Sequence, residues 1–338
     1  MFTSQFPQQR MRRLRAHSFT RKMCQETELR AKHLVYPAFI MNKQTGEEQI
    51  KNFPGVKRLS FEALLKIAEL CLEKQVAGLA LFPVIENYKD EQGREAYNPD
   101  GLVPKYLYEL KKRFPELGII TDIALDPYTS HGQDGILSKT GEIDNDKTIE
   151  ILCKQALCHA QAGADIIAPS DMMDGRIASI RKHLEKNSFT NTAILSYSAK
   201  YASNFYGPFR EAVGSSKQLG KKHKRTYQMN LANSSEALRE VFLDIQEGAD
   251  IVMIKPGLPY LDIIRLVKNK FKVPTFAYQV SGEYTMLKAL SSTGACCEAQ
   301  TALEALFSMR RAGADAIFTY YALQAADWLC EYPYYPEY

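Results

Sequence analysis

The chain has 338 residues, of which 45% are hydrophobic and 24% are charged, and its net charge is +4 at pH 7. This composition is typical of a folded globular protein and excludes a mainly disordered chain. No apolar run approaches the roughly 18 to 20 residues that cross a bilayer, so no membrane association is expected. A net charge this small gives no reason to expect a nucleic-acid partner.

The cysteine pattern bears on the cellular compartment. Seven cysteines are spread along the chain, with no paired Cys/His spacing of the zinc-finger type. An odd number of cysteines in a chain this long favours reduced thiols over a disulfide scaffold, and a structural zinc site is not expected. The sequence therefore predicts a cytoplasmic protein.

Residues 1–30 are predicted to form a basic N-terminal arm. The first 23 residues contain six Arg or Lys residues and no acidic residue. No apolar stretch follows them, which argues against a secretory signal. An Arg-rich, acid-poor segment is also compatible with an organelle transit peptide. We favour an arm that packs on a neighbouring subunit.

Short apolar runs and helical patterns alternate after residue 30. Runs rich in Val, Ile, Leu and Ala with no polar alternation are typical of strands that are buried on both faces. Eight such strands are predicted, at residues 33–40, 78–85, 118–126, 165–171, 193–198, 250–256, 274–281 and 316–322. Helical patterns lie between them, for example at residues 61–74, 148–161, 235–246, 261–270 and 299–311.

A Gly-Ala-Asp sequence precedes three of these strands, at residues 163–165, 248–250 and 313–315. Each glycine is placed to end a helix in the left-handed conformation before the chain enters a strand. Eight strand–helix units with such turns predict a single (β/α)8 barrel over residues 31–338. A doubly wound open sheet is the alternative, but it predicts a Gly-rich phosphate loop that the sequence lacks.

Two lysines stand at the ends of neighbouring predicted strands, where a barrel carries its chemistry. Lys200 follows the fifth strand and Lys255 lies in the last part of the sixth. Burial and mutual repulsion both disfavour two ammonium groups, and a neutral amine can attack a carbonyl carbon to form a Schiff base. The alternative is that each lysine reaches solvent from the rim or pairs with Asp122 or Asp171.

A long insertion follows the first of these lysines. Residues 201–227 begin with aromatic side chains and continue with Gly and Lys. A basic, flexible lid over a carboxylated or phosphorylated small substrate is one interpretation, and a solvated surface loop is the other.

The segment after the third strand is unusually polar. It contains three carboxylates, Asp122, Asp126 and Asp134, together with His131. Carboxylates at this position could hold a hard cation such as Mg²⁺ or act as general acid and base. An Asx-rich turn that caps the next helix is the alternative.

Several longer stretches together resemble the porphobilinogen synthase family, also called 5-aminolevulinate dehydratases, from about residue 10 to about residue 328. They are residues 12–15, 89–90, 95–101, 168–176, 196–203, 205–210, 253–262 and 278–284. The resemblance implies a lyase of tetrapyrrole (haem) biosynthesis that condenses two 5-aminolevulinate molecules to porphobilinogen. It also implies a barrel whose N-terminal arm embraces a neighbouring subunit, usually in a homo-octamer.

The resemblance also implies roles for individual residues. Lys255 matches the lysine that forms the Schiff base with the first-bound substrate, and Lys200 matches the second active-site lysine. The other residues that match substrate-binding positions are Arg210, Lys224 and Gln228 for one carboxylate, Ser281 and Tyr320 for the other, Asp122 and Ser170 near an amino group, and Tyr278.

The metal expected from the resemblance is Mg²⁺. Zinc-dependent members carry three cysteines where this chain has Ala124, Asp126 and Asp134, so no catalytic zinc is expected. In the aspartate-rich branch, an allosteric Mg²⁺ sits away from the active site on a glutamate that matches Glu240. Whether Asp126 and Asp134 also hold a metal stays open.

Two alternatives to this function stay open. A class I aldolase acting on phosphosugars would need one of the two lysines and a phosphate site near strands seven and eight. A non-catalytic relative acting as a scaffold would be expected to lack the strand-end lysines, and both are present.

Overall fold

The computed structural model describes residues 5–214 and 223–331. The strands are β1 (Leu34–Met41), β2 (Glu47–Gln49), β3 (Lys57–Leu59), β4 (Gly78–Val84), β5 (Gly118–Ile123), β6 (Ile166–Pro169), β7 (Ala193–Lys200), β8 (Ile251–Lys255), β9 (Thr275–Tyr278) and β10 (Ala316–Phe318). The α-helices are α1 (Ser18–Met23), α2 (Phe61–Glu73), α3 (Leu102–Arg113), α4 (Asn145–Gln161), α5 (Arg176–Lys186), α6 (Gly207–Ala212), α7 (Ser235–Gln246), α8 (Leu261–Phe271), α9 (Ser281–Ser292), α10 (Glu298–Ala312) and α11 (Ala322–Glu331).

Eight of these strands form a closed parallel barrel. β1 and β4 to β10 pair in chain order, and β10 returns to pair with β1, where Leu34 lies opposite Ile317. All seven residues of β4 are buried, as expected for a strand covered by helices on the outer face. The predicted (β/α)8 barrel is confirmed, and the open-sheet alternative is wrong because the sheet has closed on itself.

The Gly-Ala-Asp repeat builds the turns at the amino ends of the strands. The glycine of each repeat has a positive φ, between 103° and 122°, as a left-handed helix end requires. The aspartate of each repeat accepts a hydrogen bond from a backbone N–H of the neighbouring strand. These bonds run from Ile119 to Asp165 (2.8 Å), from Ile194 to Asp250 (2.7 Å) and from Thr275 to Asp315 (2.7 Å).

Each of these aspartates also lies within 4.0 Å of a basic side chain from a neighbouring helix, and the pairs are Lys111–Asp165, Arg181–Asp250 and Lys268–Asp315. The stem of the same basic side chain packs on the glycine of that repeat: a Cβ at Gly313 would lie 2.9 Å from Lys268. The repeat is therefore a structural unit that ties one strand end to the next, at the opposite end from the lysines Lys200 and Lys255.

Several boundaries differ from the predictions. The third, fourth, seventh and eighth barrel strands end earlier than predicted, because their last polar residues turn into the loops at the barrel mouth. β7 is longer and ends at Lys200 itself. The β2–β3 hairpin was missed, since its three-residue strands are charged and show no alternation.

The predicted arm and lid are only partly covered by the described residues. Residues 5–30 contain the short helix α1 and lie outside the barrel sheet. The predicted lid, residues 201–227, contains α6, and its residues 215–222 lie outside the described part of the chain. None of the described helices combines the length and apolar character that crossing a bilayer requires.

Candidate active site

The two lysines lie side by side at the mouth of the barrel. Lys200 is the last residue of β7 and Lys255 is the last residue of β8, and the two are direct partners in the parallel pairing of these strands. Their exposed fractions are only 6% and 5%. The carboxyl ends of all barrel strands meet at one rim. Lys200 and Lys255 are therefore neighbours in space although they are far apart in sequence.

Aromatic rings surround the amino group of Lys255. Its Nζ lies 4.6 to 5.4 Å from four ring centroids, those of Tyr197, Tyr206, Phe209 and Tyr278. Burial, together with the nearby charge of Lys200, lowers the pKa of Lys255 to about 7. A substantial fraction of the amine is therefore neutral near pH 7, which is the form that attacks a carbonyl carbon.

Lys200 has a different environment. Its Nζ donates a hydrogen bond to the Ser170 carbonyl oxygen and lies 3.5 Å from Asp134 Oδ2. The predicted alternative, pairing with Asp122 or Asp171, is therefore wrong for Lys200, since its ion-pair partner is Asp134. One lysine of the pair thus has a carboxylate partner, and the other faces mainly rings.

The polar segment after β5 supplies carboxylates to lysines. Lys224 Nζ lies 3.1 Å from Asp126 Oδ2 and 2.7 Å from Asp134 Oδ1. Burial raises the pKa of Asp134, but the charges of Lys200 and Lys224 outweigh burial and lower this pKa to about 2. Asp134 therefore pairs with two lysines, Lys200 and Lys224. The predicted Asx-rich cap is not seen here, because α4 is capped by Asp144.

Asp122 and Gln228 present buried acceptors without a partner. Burial raises the pKa of Asp122 to about 6, and its Oδ1 finds no hydrogen-bond donor among the described residues. The Gln228 Oε1 atom is also buried and has no hydrogen-bond donor among the described residues. Unpaired buried acceptors are costly, and a ligand with N–H donors would satisfy them. Both side chains line one cavity, with Asp126, Ser170, Lys200, Tyr206, Phe209, Arg210, Lys224 and Lys255.

Three further candidates lie behind Lys255. The hydroxyl groups of Tyr278 and Tyr320 are 3.0 Å apart. Ser281 Oγ accepts a hydrogen bond from the Phe209 N–H (3.0 Å) and donates one to the Phe205 carbonyl (3.2 Å). These residues therefore position the rings next to Lys255. The structure brings twelve of the thirteen predicted site residues to one end of the barrel, and Glu240 is the exception.

Sequence reasoning missed the side chains that shape the surroundings of Lys255. Tyr197, Tyr206 and Phe209 were not singled out, although Tyr197 lies three residues before Lys200 on the same strand. Glu283 was also missed, although a glutamate three residues after the N-cap Val280 is a helix-start signal.

The candidate metal positions differ in character. Between Asp126 and Asp134 lies the Lys224 ammonium, which already supplies the positive charge that a cation would bring. Glu240 lies on α7 and is not among the residues that line the cavity of Lys200 and Lys255. Burial, then the nearby Asp244, raise the pKa of Glu240 against the effect of Arg176. Within residues 5–214 and 223–331, no group of three or more His, Cys, Asp or Glu side chains is arranged to hold a metal ion.

A buried lysine of lowered pKa beside a second lysine, at the carboxyl end of a (β/α)8 barrel, indicates an enzyme that acts through a Schiff base. The comparisons give the family. The chain belongs to the delta-aminolevulinic acid dehydratase family, whose sequence profile matches residues 8–328. This confirms the resemblance to porphobilinogen synthases and disfavours the phosphosugar aldolase alternative.

Individual relatives agree over nearly the full chain. The delta-aminolevulinic acid dehydratase of Bradyrhizobium diazoefficiens is 49% identical over 319 residues, 94% of this chain and 90% of that protein. The chloroplastic enzyme 1 of Arabidopsis thaliana is 51% identical over 326 residues, 95% of this chain and 74% of that protein. The Toxoplasma gondii ME49 enzyme in complex with porphobilinogen superimposes with a TM-score of 0.94 at 46% identity, covering 98% of this chain and 93% of the other.

Replacing Lys200 with an uncharged side chain of similar length tests the electrostatic link within the pair. We expect Lys200→Met to raise the pKa of Lys255, because it removes a like charge from the neighbouring strand. The measurement is the pH dependence of borohydride trapping of levulinic acid, the keto acid without the amino group, on Lys255. The midpoint should move to higher pH.

The matched control is Lys154→Met. Lys154 lies on α4 with its Nζ 5.6 Å from the Tyr97 ring, and it is not among the residues that line the cavity of Lys200 and Lys255. This variant should keep the wild-type midpoint. An unchanged midpoint in Lys200→Met would show that burial alone sets the pKa of Lys255.

Proposed function

We propose that this chain condenses two molecules of 5-aminolevulinate to porphobilinogen with the loss of two waters, as porphobilinogen synthase. The observation that supports this most is the in-register pair of buried lysines, Lys200 and Lys255, beside buried acceptors. Two amines at one site match a reaction in which two keto acids are bound together. The product is a pyrrole that supplies tetrapyrrole synthesis.

Lys255 begins the chemistry on the first substrate. Its neutral amine attacks the ketone carbon, and loss of one water leaves a Schiff base. Burial and the charge of Lys200 lower the pKa of Lys255 to about 7, so a substantial fraction of the amine is unprotonated when the ketone arrives. Lys200 holds or polarises the ketone of the second substrate, with Asp134 as its counter-charge.

The second substrate is oriented by polar groups on the other side of the cavity. All five proposed groups line this cavity: Arg210, Lys224 and the amide N–H groups of Gln228 for its carboxylate, and Asp122 with Ser170 as acceptors for its amino group. Ser281 and Tyr320 are the proposed contacts for the first substrate's carboxylate. Holding both substrates in one cavity makes the condensation effectively intramolecular, which is worth up to about 7–11 kcal/mol.

The reaction is tested by incubating the protein with 5-aminolevulinate and measuring porphobilinogen. We expect turnover by the wild type and none above background by Lys255→Ala, because the nucleophile is gone. Lys154→Ala, a remote lysine, should keep wild-type activity. Turnover by Lys255→Ala would rule out Lys255 as the Schiff-base residue.

Arg210→Ala tests carboxylate binding from α6. Loss of a charge-assisted hydrogen bond costs about 1.5–3 kcal/mol. The KM for 5-aminolevulinate should therefore rise about tenfold or more, with a smaller change in kcat. Arg113→Ala on the outer helix α3 is the control. An unchanged KM in Arg210→Ala would remove Arg210 from the binding site.

We also propose that the assembly is a homo-octamer and that Mg²⁺ activates it allosterically through Glu240, without a catalytic zinc. Excess carboxylate charge around Glu240 supports a cation there. Exposed apolar side chains on the arm support packing on a neighbouring subunit, and they are Phe6, Met11, Leu14, Phe19 and Met23.

Metal-stripped protein titrated separately with Mg²⁺ and Zn²⁺ tests this assignment. Activity and light-scattering mass should rise together with Mg²⁺, Glu240→Ala should lose the response, and Zn²⁺ should have no effect. Activation by Zn²⁺ would instead show that Asp126 and Asp134 form a zinc site.

A further inference from the structure

One buried carboxylate joins two strand ends next to the active site. Glu283, the third residue of α9, has no exposed surface. Its Oε2 accepts hydrogen bonds from the backbone N–H groups of Val280 (2.7 Å) and Gly257 (3.3 Å), and its Oε1 accepts one from Leu258 (2.6 Å). Val280 follows β9 by two residues, and Gly257 follows Lys255 by two residues.

Helix capping explains only part of this arrangement. A glutamate at the third helical position commonly reaches back to the N-cap N–H, as Glu283 does to Val280, and a glutamine does the same without a charge. The bonds to Gly257 and Leu258 lie outside the helix. Within the described chain no Lys or Arg forms an ion pair with Glu283, so backbone donors alone offset the burial of its carboxylate.

The backbone around Glu283 is packed without spare room. A Cβ at Gly257 would lie 2.7 Å from Met309 Sδ and 3.1 Å from the Tyr278 carbonyl oxygen. A Cβ at Gly282 would lie 2.6 Å from the Phe205 carbonyl oxygen. Three backbone segments therefore meet at the start of α9, and a shift of one moves the others.

These three segments carry Lys255 and most of its ring neighbours. The loop that Glu283 holds begins directly after Lys255. Tyr278 ends β9, and the segment at Phe205 continues into Tyr206 and Phe209. The rings of Tyr278, Tyr206 and Phe209 lie 4.6, 5.4 and 5.0 Å from Lys255 Nζ.

We propose that Glu283 is a positioning residue for Lys255. The ionised carboxylate of Glu283 holds the loop after β8 against the start of α9, and so keeps the Lys255 amine among the surrounding aromatic rings. Glu283 does not touch the reacting atoms. The proposal rests on the proposed function, since it concerns the lysine that attacks the substrate.

The charge of Glu283 changes in the working pH range. Burial raises the pKa of Glu283 to about 7, against the backbone N–H groups that favour the ionised form. Tyr206 is the ionisable side chain that interacts with Glu283 from the segment before α6. Burial raises the pKa of Tyr206 well above its usual value, so this hydroxyl stays neutral near pH 7.

The two titrations act in the same direction. Lys255 must lose a proton to attack, and Glu283 must lose one to accept all three N–H groups. Activity therefore rises with pH through about 7, and the acid limb of log kcat/KM should approach a slope of two. If Lys255 alone controlled that limb, the slope would be one.

Glu283→Gln tests the proposal, because it preserves the shape and the cap but cannot ionise. We expect the acid limb to flatten to a slope near one. The kcat should fall by up to about 100-fold through misplacement of the amine, with KM changed much less. The measurement is porphobilinogen formation from about pH 5.5 to about pH 9. Wild-type slope and kcat in Glu283→Gln would overturn the proposal.

A second variant and a control separate positioning from general stability. Glu283→Asp keeps the charge but shortens the reach, so it should retain the steep limb while losing kcat. Asp144→Asn removes the carboxylate that caps α4 on the outside of the barrel. It should keep the wild-type slope and kcat even if its thermal unfolding temperature falls.

The design also separates failure of this proposal from failure of the proposed function. If the wild type makes no porphobilinogen, the proposed function is wrong. The pH dependence of levulinic acid trapping on Lys255 is then measured in place of porphobilinogen formation. If Glu283→Gln does not fold, the wild-type trapping limb decides. A slope near one overturns the positioning role. A slope near two supports it when Asp122→Asn, which removes the other carboxyl group of raised pKa in this cavity, keeps that slope.

Discussion

The site depends on the placement of two lysine side chains at the ends of adjacent parallel strands, out of contact with bulk water. Lys200 and Lys255 are direct partners in the β7–β8 pairing, and each is at most 6% exposed. Two ammonium groups in that position would repel each other and would both lack solvation. The surrounding residues reduce this repulsion because they give the two amines different environments.

The difference lies in the distribution of counter-charge. Asp134, in the segment after β5, pairs with Lys200 and with Lys224. Its carboxylate therefore joins the end of β7 to the residues after α6. Lys255 has four aromatic rings around it, and no carboxylate of the described chain lies within ion-pair distance. One amine is therefore kept paired and the other is kept available as a nucleophile, which is the division of labour that a condensation of two keto acids needs.

Sequence reasoning predicted the parts that follow from regular patterns. Uninterrupted apolar strands and the Gly-Ala-Asp repeat predicted the barrel, and polar residues at strand ends predicted Lys200 and Lys255 as a pair. It could not predict that Asp134 pairs with Lys200, because that contact joins residues 66 positions apart through two loops. Nor could it predict that Glu283 accepts hydrogen bonds from Gly257 and Leu258, since these backbone N–H groups lie outside its helix and carry no sequence signal.

The most direct test of this account is the pKa of Lys255 in the unmodified protein. Competitive labelling with acetic anhydride over a range of pH, followed by mass spectrometry of the peptide that contains Lys255, reports the fraction of neutral amine. The account predicts a labelling midpoint near pH 7, the value that burial and the neighbouring Lys200 give. A midpoint near 10, as for an exposed lysine, would contradict it.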